Sequence, residues 1–285
     1  MSGRKLIPCA ICYDFDGTLA PGNMQERDFI PQIGMNTDEF WTACHAEAKE
    51  HEADQIHVYM RLMLERARAK KVKVTRDDFR DYGAKLDFFP GVYDDKDNSW
   101  FRRINKYARS SGVLAEHFIV SSGVREMIQG TQIASYFKKI YASSFMYDHH
   151  GVAEWPALAL NYTTKTQYLF RINKGSLDVW DDSVINSYVE HDKRPVPFHN
   201  MIFIGDGLTD IPCFRLVKDQ GGHSIAVHEP RKKTAKDRVK RIFDDGRVNF
   251  VAPTDFKDKS PLDKIVKGII DKIAFDTQLR SLGQI

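Results

Sequence analysis

The sequence contains no apolar run that approaches the ~20 residues a membrane-spanning helix needs, so we expect no membrane association. It also lacks internal repeats and low-complexity segments, and a content of 42% hydrophobic and 28% charged residues is typical of a globular protein. Neither sign of charge dominates, because 42 basic residues against 39 acidic ones leave a net charge of +3. This balance does not require a nucleic-acid partner, and it leaves an anionic small molecule as a possible ligand.

Cysteine is scarce, with four residues in a chain of 285, which excludes a small fold stapled by disulfides. Cys9 and Cys12 form a C-x-x-C pair inside an apolar stretch that indicates a strand. Side chains three residues apart in a strand point to opposite faces, so we expect these two to pack in the core and not to share a metal. Because the N-terminal segment also lacks a signal-peptide cleavage site, the pattern favours a cytoplasmic protein.

Short apolar strands alternate with helical segments along most of the chain. This alternation predicts an α/β fold, a Rossmann-like three-layer core in which helices cover both faces of a mostly parallel sheet. A hairpin is expected over residues 145–161, and ligands bind such sheets at the carboxyl ends of the strands. The predicted strands cover residues 6–13, 117–120, 141–147, 201–204, 224–227 and 248–251.

One block of the chain, called the helical insert below, departs from this alternation. It covers residues 23–86, with helix starts indicated at Thr37 and at Thr75, which has the capping-box pattern. The remaining residues, 1–22 and 87–285, are expected to form the α/β core. Four charged residues of the insert could contact a substrate: Glu26, Arg27, Arg61 and Arg66. Charged helix faces of this kind are usually solvated, which is the simpler interpretation of all four.

Two segments of the core differ in how clearly their patterns predict a structure. The polar stretch 174–199 is expected to be irregular, with one short helix near residues 184–189. At the other extreme, the C-terminal helix is well marked, because Ser260 can cap it and Pro261 suits its first turn.

Two carboxylates, Asp14 and Asp16, directly follow the first predicted strand. Carboxylates at the end of a buried strand are costly unless a cation compensates them, and Mg²⁺ prefers oxygen ligands. Because both residues lie on a turn, they can point in different directions. One can then attack as a nucleophile while the other transfers protons.

A second acidic pair, Asp206 and Asp210, follows the strand at 201–204 in the segment Gly-Asp-Gly-Leu-Thr-Asp. The two lie about one helical turn apart, so both can face the same site. No cysteine or histidine accompanies the four aspartates. The set therefore predicts a site for a hard cation and not a zinc site.

Two further segments carry groups that suit a phosphate. Ser121-Ser122-Gly123 follows a predicted strand and precedes a helix, where hydroxyls and exposed amides can bind phosphate oxygens, although ordinary helix capping uses the same groups. Lys165 lies at a predicted helix start, where a cation opposes the helix dipole unless an anion lies nearby.

The four motifs occur in the order D-x-D-G-T, S-S-G, K and G-D-G-x-x-D, each at a strand end or a helix start. In this order they resemble the motifs of the haloacid dehalogenase-like hydrolase superfamily. The helical insert lies between the first and second motifs, which is similar to the C1-type cap of the phosphoserine phosphatase-like branch. The resemblance implies a Mg²⁺-dependent phosphatase that acts on a small phosphorylated metabolite.

The resemblance also implies a role for each residue. Asp14 would be the nucleophile that forms an aspartyl-phosphate. Asp16 would protonate the leaving group and then activate water, while its backbone carbonyl binds Mg²⁺. Asp206 would be a metal ligand together with Asp14, and Asp210 would support them. The residues that would hold the transferring phosphoryl group are Ser121, Ser122 and Lys165.

The same motifs leave two other functions open. Dehalogenases of the superfamily lack an acid at the position of Asp16, and its membrane ATPases use a D-K-T-G pattern, but a phosphomutase shares every motif. The second alternative is a non-catalytic protein that contacts a polyanion through residues 231–241, called the basic run below. This run contains no aromatic residue for stacking on nucleic acid, and a solvated helix is its simpler interpretation. The sequence does not indicate an oligomeric state.

Overall fold

The computed structural model describes residues 6–94, 98–190 and 193–283. Seven strands form one central sheet. Their bounds are Ile7–Tyr13 (β1), Val113–Val124 (β2), Phe137–Tyr147 (β3), Ala153–Leu158 (β4), Met201–Gly205 (β5), His223–His228 (β6) and Phe250–Pro253 (β7). The order across the sheet is β4-β3-β2-β1-β5-β6-β7, and the neighbouring pairs are parallel except for the predicted hairpin of β3 and β4.

The central strand β1 shows why the sheet is covered on both sides. Its alternate residues Cys9, Ile11 and Tyr13 pack into one apolar cluster, while Ala10 and Cys12 pack into another. The two cysteines therefore lie on opposite faces of the sheet, as their spacing predicts, because successive strand residues alternate between faces.

Helices cover each of these faces. One layer consists of α6 (Trp100–Ser110), α7 (Arg125–Gly130) and α11 (Pro261–Leu282), and the other of α8 (Lys165–Lys174), α9 (Ile211–Asp219) and α10 (Lys233–Asp244). The start of α11 agrees with the sequence, since Ser260 Oγ accepts a hydrogen bond of 3.1 Å from the Asp263 amide. The predicted three-layer α/β fold is confirmed.

Of the six helices described between β1 and β2, five lie in the segment predicted as the helical insert. They are α1 (Met24–Arg27), α2 (Phe29–Gln32), α3 (Thr37–Glu50), α4 (Gln55–Lys70) and α5 (Arg76–Ala84). Thr75 caps α5 as predicted. The cap predicted for α3 was wrong by one residue, because the Asn36 side chain accepts from the Glu39 amide and Thr37 is the first helical residue. The boundaries of the insert as a separate unit stay a prediction.

The insert contacts the core through a close approach of backbones. A methyl group added at Gly83 of α5 would overlap the carbonyl oxygen of Met127 in α7, and one at Gly130 would overlap the carbonyl of Arg80. At the sheet edge, the Ala153 amide of β4 donates 2.9 Å to the carbonyl of Val74. The insert is thus held against α7 and β4.

The short helix predicted at 184–189 is absent from the described chain, where residues 183–187 form turns and a bend. Lys174 of α8 bears on the difference, because its ammonium donates to the carbonyl oxygens of Ile185 and Ser187, inside the predicted segment, at 2.6 and 2.8 Å. The Arg171 guanidinium of the same helix holds the start of the loop by donating to the carbonyl oxygens of Asp178, Val179 and Asp181 at 2.7, 3.1 and 2.9 Å. The local sequence pattern did not reveal these tertiary partners.

None of the helices in the described part of the chain combines the length and the apolar character that a bilayer crossing requires. This agrees with the absence of a long apolar run in the sequence.

Candidate active site

The turn after β1 places Asp14 and Asp16 at the carboxyl edge of the sheet. Asp14 is buried, and its Oδ1 accepts a hydrogen bond of 2.7 Å from the Phe15 amide. Asp16 Oδ1 accepts one of 3.0 Å from the amide of Met24, the first residue of α1. The two carboxylates therefore have separate partners, as expected of two residues on a turn.

The turn after β5 brings a second pair of acids to the same edge. Carboxylate oxygens of Asp14, Asp206 and Asp210 all lie within 4.8 Å of one another. Gly17 permits this approach, because its φ is +72° and a Cβ there would lie 2.5 Å from Asp206 Oδ2. The side chain of Asp16 is not part of this group, so its expected contribution to a metal is the backbone carbonyl alone.

Lys165 lies beside this group as the first residue of α8. Its side chain is fully buried, and its Nζ lies 2.8 Å from Asp210 Oδ1 and 3.0 Å from Asp14 Oδ2. Burial by itself would lower the pKa of Lys165, but the two carboxylates outweigh it and raise the pKa above its usual range. Lys165 therefore remains a cation in contact with Asp14.

Three carboxyl groups of the site, those of Asp16, Asp206 and Asp210, have raised pKa values because burial disfavours their charged forms. Burial, with Asp210 and Asp14 as further causes, raises the pKa of Asp206 to about 7. Burial, followed by the charge of Asp14, raises the pKa of Asp16 well above its usual range. This excess of negative charge is what a divalent cation would offset. The donors are carboxylate oxygens only, so the residues present fit Mg²⁺.

The Ser121-Ser122-Gly123 segment differs from its predicted setting. The strand β2 does not end at Val120 but continues to Val124, with an irregular register between these two residues, so the serines lie on the end of the strand and not in a loop. Pairing of Val124 with Ser143 of β3, the next strand along the chain, extends β2 beyond its apolar core. Ser121 Oγ accepts 3.2 Å from the Gly123 amide, and Ser122 Oγ is buried with no hydrogen-bond partner in the described structure. An unpartnered buried hydroxyl beside the acids suits a phosphate oxygen.

The sequence analysis missed one cation of the site, Arg238. It belongs to the basic run, which we interpreted as solvated or as a polyanion surface, yet its Nη2 donates 3.2 Å to Asp206 Oδ2. The order of the strands in the sheet was the signal that could have identified Arg238. The helix α10 follows β6, the neighbour of β5, so its side chains can reach the same edge of the sheet.

A cavity of about 530 Å³ lies between these strand ends and the helical insert. One wall contains Asp14, Asp16, Ser122 and Asp206, and the other is formed by α1, α3 and α4 of the insert. The Tyr59 hydroxyl of α4 bridges the walls by donating 2.6 Å to the Ser122 carbonyl. The arrangement can hold a phosphate ester with its phosphorus near Asp14 and its remaining part under the insert.

Comparison with known proteins finds one relative of the same overall length and several solved structures of similar fold. The chain is 28% identical to an uncharacterized protein of Borreliella burgdorferi over 96% of this chain and 99% of that protein. Among solved structures, a HAD family hydrolase from Salmonella enterica subsp. enterica serovar Typhi matches with a TM-score of 0.58 at 17% identity, covering 93% of this chain and 73% of that one. A substrate-bound phosphoserine phosphatase matches with a TM-score of 0.54 at 14% identity, covering 92% of this chain and 98% of that one.

These structural similarities, at identities under 25%, establish the fold. A family model described as haloacid dehalogenase-like hydrolase matches residues 11–215, which is more than half of the chain and includes all four motifs. The resemblance inferred from the motifs is confirmed, and the chain belongs to the haloacid dehalogenase-like hydrolase family.

Proposed function

We propose that the protein is a Mg²⁺-dependent phosphatase that hydrolyses a small phosphorylated metabolite through an aspartyl-phosphate on Asp14. The observation that carries the proposal is the contact of Asp14 with the buried Lys165, inside a group of carboxylate oxygens within 4.8 Å of one another. An anionic nucleophile attacks an anionic phosphate only where cations reduce their repulsion. Lys165 supplies one such charge.

The metal would be held by Asp14, Asp206 and the backbone carbonyl of Asp16, with Asp210 supporting. When bound, Mg²⁺ supplies positive charge that offsets the charge of the phosphoryl oxygens. Ser121, Ser122 and Lys165 are proposed to hold those oxygens, a role supported by the free hydroxyl of Ser122 and the charge of Lys165.

The chemistry takes two steps. A carboxylate oxygen of Asp14 attacks phosphorus, the bond from phosphorus to the ester oxygen breaks, and Asp16 gives its proton to the departing oxygen. Asp16, now a carboxylate, removes a proton from water, whose oxygen attacks the phosphorus of the aspartyl-phosphate. The bond to Asp14 breaks, inorganic phosphate forms, and Asp16 is protonated again. A raised pKa of Asp16 supports this role, because the group must hold a proton at the start.

We also propose that the protein is cytoplasmic. Its four cysteines, all within the described residues, are free and buried, as suits a reducing compartment: Cys9, Cys12, Cys44 and Cys213.

The test measures phosphate release from a panel of phosphate monoesters with Mg²⁺ and with EDTA. We expect turnover that EDTA abolishes and that Asp14→Asn reduces to background, while Asp77→Asn, at an exposed carboxylate of α5, keeps full activity. Calorimetry of Mg²⁺ binding gives a second readout, which Asp206→Asn should abolish. Activity that survives EDTA or Asp14→Asn would overturn the proposal.

Two other results would replace it with the alternative functions. Transfer of phosphate within a sugar phosphate without phosphate release would identify a phosphomutase. Salt-sensitive binding to a polyanion, with no turnover of any ester, would identify a binding protein that uses the basic run.

A further inference from the structure

The wall of the cavity formed by the helical insert is aromatic. Trp41 of α3 and Tyr59 of α4 line it side by side, with ring centroids 5.9 Å apart and an interplanar angle of 71°. Tyr162, in the segment before α8, lines the mouth and is 53% exposed. Aromatic faces of this kind stack on planar rings of a ligand.

Two of these rings are held in place before any ligand binds. The Trp41 Nε1 group donates 2.8 Å to Glu26 Oε1, and the Tyr59 hydroxyl donates 2.6 Å to the Ser122 carbonyl. Because the rings are already fixed, little side-chain entropy is lost when a ligand contacts them.

Polar groups on the same wall suit an uncharged partner. The carboxylate of this wall, Asp54, already accepts hydrogen bonds from the Ile56 amide at 2.9 Å and from Asn161 Nδ2 at 2.7 Å. Gln25 of α1 is 2% exposed and lines the cavity, and its Oε1 has no hydrogen-bond partner within the described residues. Gln55, at the start of α4, also lines the cavity. Amide groups donate and accept hydrogen bonds but carry no charge, so they match the edges of a polar ring or neutral hydroxyls.

The insert offers no lysine or arginine to the cavity from its fully described residues 23–86, and its one lining histidine, His45, is hydrogen-bonded to Gln55 at 2.6 Å. The candidate contacts Arg27 and Arg61 are paired with Asp87 and Glu47 instead. On the core side, the lining cations are likewise paired: Lys232 with Glu229 at 2.8 Å and Arg238 with Asp206 at 3.2 Å. A leaving group with its own carboxylate, such as phosphoserine, would meet unfavourable desolvation there.

We propose that the substrate is a phosphate monoester whose leaving group is uncharged and carries a planar ring, the class to which nucleoside 5′-monophosphates belong. This inference rests on the proposed function, which places the phosphorus at Asp14. The ring then lies against Trp41 and Tyr162, and Gln25 or Gln55 bonds its polar edge. The cavity of about 530 Å³ is within the range of pockets that hold such ligands.

The first experiment compares primary alkyl phosphates that differ only in what the phosphate is attached to. Adenosine and uridine 5′-monophosphates are compared with glycerol 3-phosphate and phosphoserine under the same Mg²⁺ concentration. We expect kcat/KM at least about tenfold higher for the nucleotides, mainly through a lower KM, because ring stacking acts on binding. Equal values, or a preference for phosphoserine, would overturn the inference.

Variants test whether the named rings cause the preference. Tyr162→Ala, at an exposed side chain, should raise KM for the nucleotides several-fold and leave glycerol 3-phosphate unchanged. Tyr188→Ala is the matched control, because Tyr188 is 88% exposed and lies outside the cavity. Trp41→Phe, which keeps a ring, should retain more of the preference than Trp41→Ala. An equal effect of Tyr162→Ala on all esters would contradict the proposal.

Failure of the proposed function is separable from failure of this inference. If no ester is turned over, the phosphatase proposal fails, and calorimetry on the same protein compares binding of the nucleotides and glycerol 3-phosphate. A Kd at least about tenfold lower for the nucleotides would still support the ring-binding wall, and equal Kd values would reject it. Turnover of phosphoserine alone would confirm a phosphatase and reject the ring-bearing substrate.

Discussion

Asp14 and Asp16 are two residues apart in the chain, yet the structure surrounds them differently. Asp14 contacts the Lys165 ammonium. Within the described residues, the Asp16 carboxylate accepts its hydrogen bond from the neutral amide of Met24, and its pKa is raised by burial. This difference suits one carboxylate that must be charged to attack and one that must be protonated to donate. The sequence predicted the pair and its strand-end position, but the separation of roles depends on Lys165, which is about 150 residues away in the chain.

The first prediction concerns Asp16→Asn. The amide oxygen can still accept from Met24, but it cannot transfer the proton, so we expect kcat for an alkyl phosphate to fall at least about 100-fold. Mg²⁺ binding measured by calorimetry should change little, because the side chain of Asp16 lies outside the group of carboxylates. The loss of kcat/KM, which reports departure of the ester oxygen and not the later hydrolysis that both esters share, should be smaller for p-nitrophenyl phosphate, whose leaving group needs no proton. The same loss for both esters would contradict the role as an acid.

At the scale of helices and strands, the start of an element depends on nearby residues, whereas the face that contacts a partner depends on distant ones. The pattern of apolar residues and caps was sufficient to place α5 and α11, because a helix start depends on residues three or four positions away. The side of a helix that faces a partner was harder to predict. In α10, the basic run suggests only a solvated surface, and Arg238 becomes a site residue through the position of β6 beside β5.

The second prediction compares two helical glycines, Gly83 in α5 and Gly268 in α11. Alanine favours a helix by up to about 1 kcal/mol over glycine, so Gly268→Ala, with open space around it, should stabilise the protein by up to that amount. A methyl group at Gly83 would overlap the backbone of Met127, so Gly83→Ala should destabilise by about 2 kcal/mol or more. Urea unfolding measures both, and a stabilising Gly83→Ala would show that α5 does not pack against α7 as described.

At the scale of the whole molecule, one buried hydrogen-bond chain joins β1, β2 and α6. Trp100 Nε1 donates 2.9 Å to the Tyr13 hydroxyl, which donates 2.9 Å to His117 Nδ1, and His117 Nε2 donates 3.0 Å to Asn105 Oδ1. Every member of the chain uses an uncharged group. Burial lowers the pKa of His117 to about 3, so the histidine stays neutral in the folded protein over most of the acidic range.

The third prediction is the pH dependence that follows. Between pH ~6.5, the value for an unfolded histidine, and about 3, the unfolded chain binds a proton at His117 that the folded chain does not. This group therefore lowers the free energy of unfolding by up to about 1.4 kcal/mol per pH unit as pH falls below 6.5. Urea unfolding at several pH values measures the free energy of unfolding of the natural protein and of His117→Gln. Below pH ~6.5 we expect this free energy to fall more steeply with falling pH in the natural protein than in the variant.

The comparison with the variant is necessary because other groups titrate in the same range. The raised pKa values of Asp16 and Asp206 act in the opposite sense, since the folded protein binds those protons more readily than the unfolded chain. They contribute equally to both proteins and cancel in the difference. Parallel stability curves for the two proteins would contradict the assignment to His117.

The sequence by itself determined the α/β order, the acidic pairs at the strand ends and the lysine at the start of α8. These features depend on the local periodicity of apolar residues and on the geometry of parallel sheets, in which the carboxyl ends of the strands lie at a common edge. Only the tertiary structure decided that Lys165 contacts both Asp14 and Asp210, that Arg238 reaches Asp206, and that the insert faces the acids with aromatic rings and amides. Those contacts join segments far apart in the chain, and their partners are chosen by packing across the sheet and not by any spacing in the sequence.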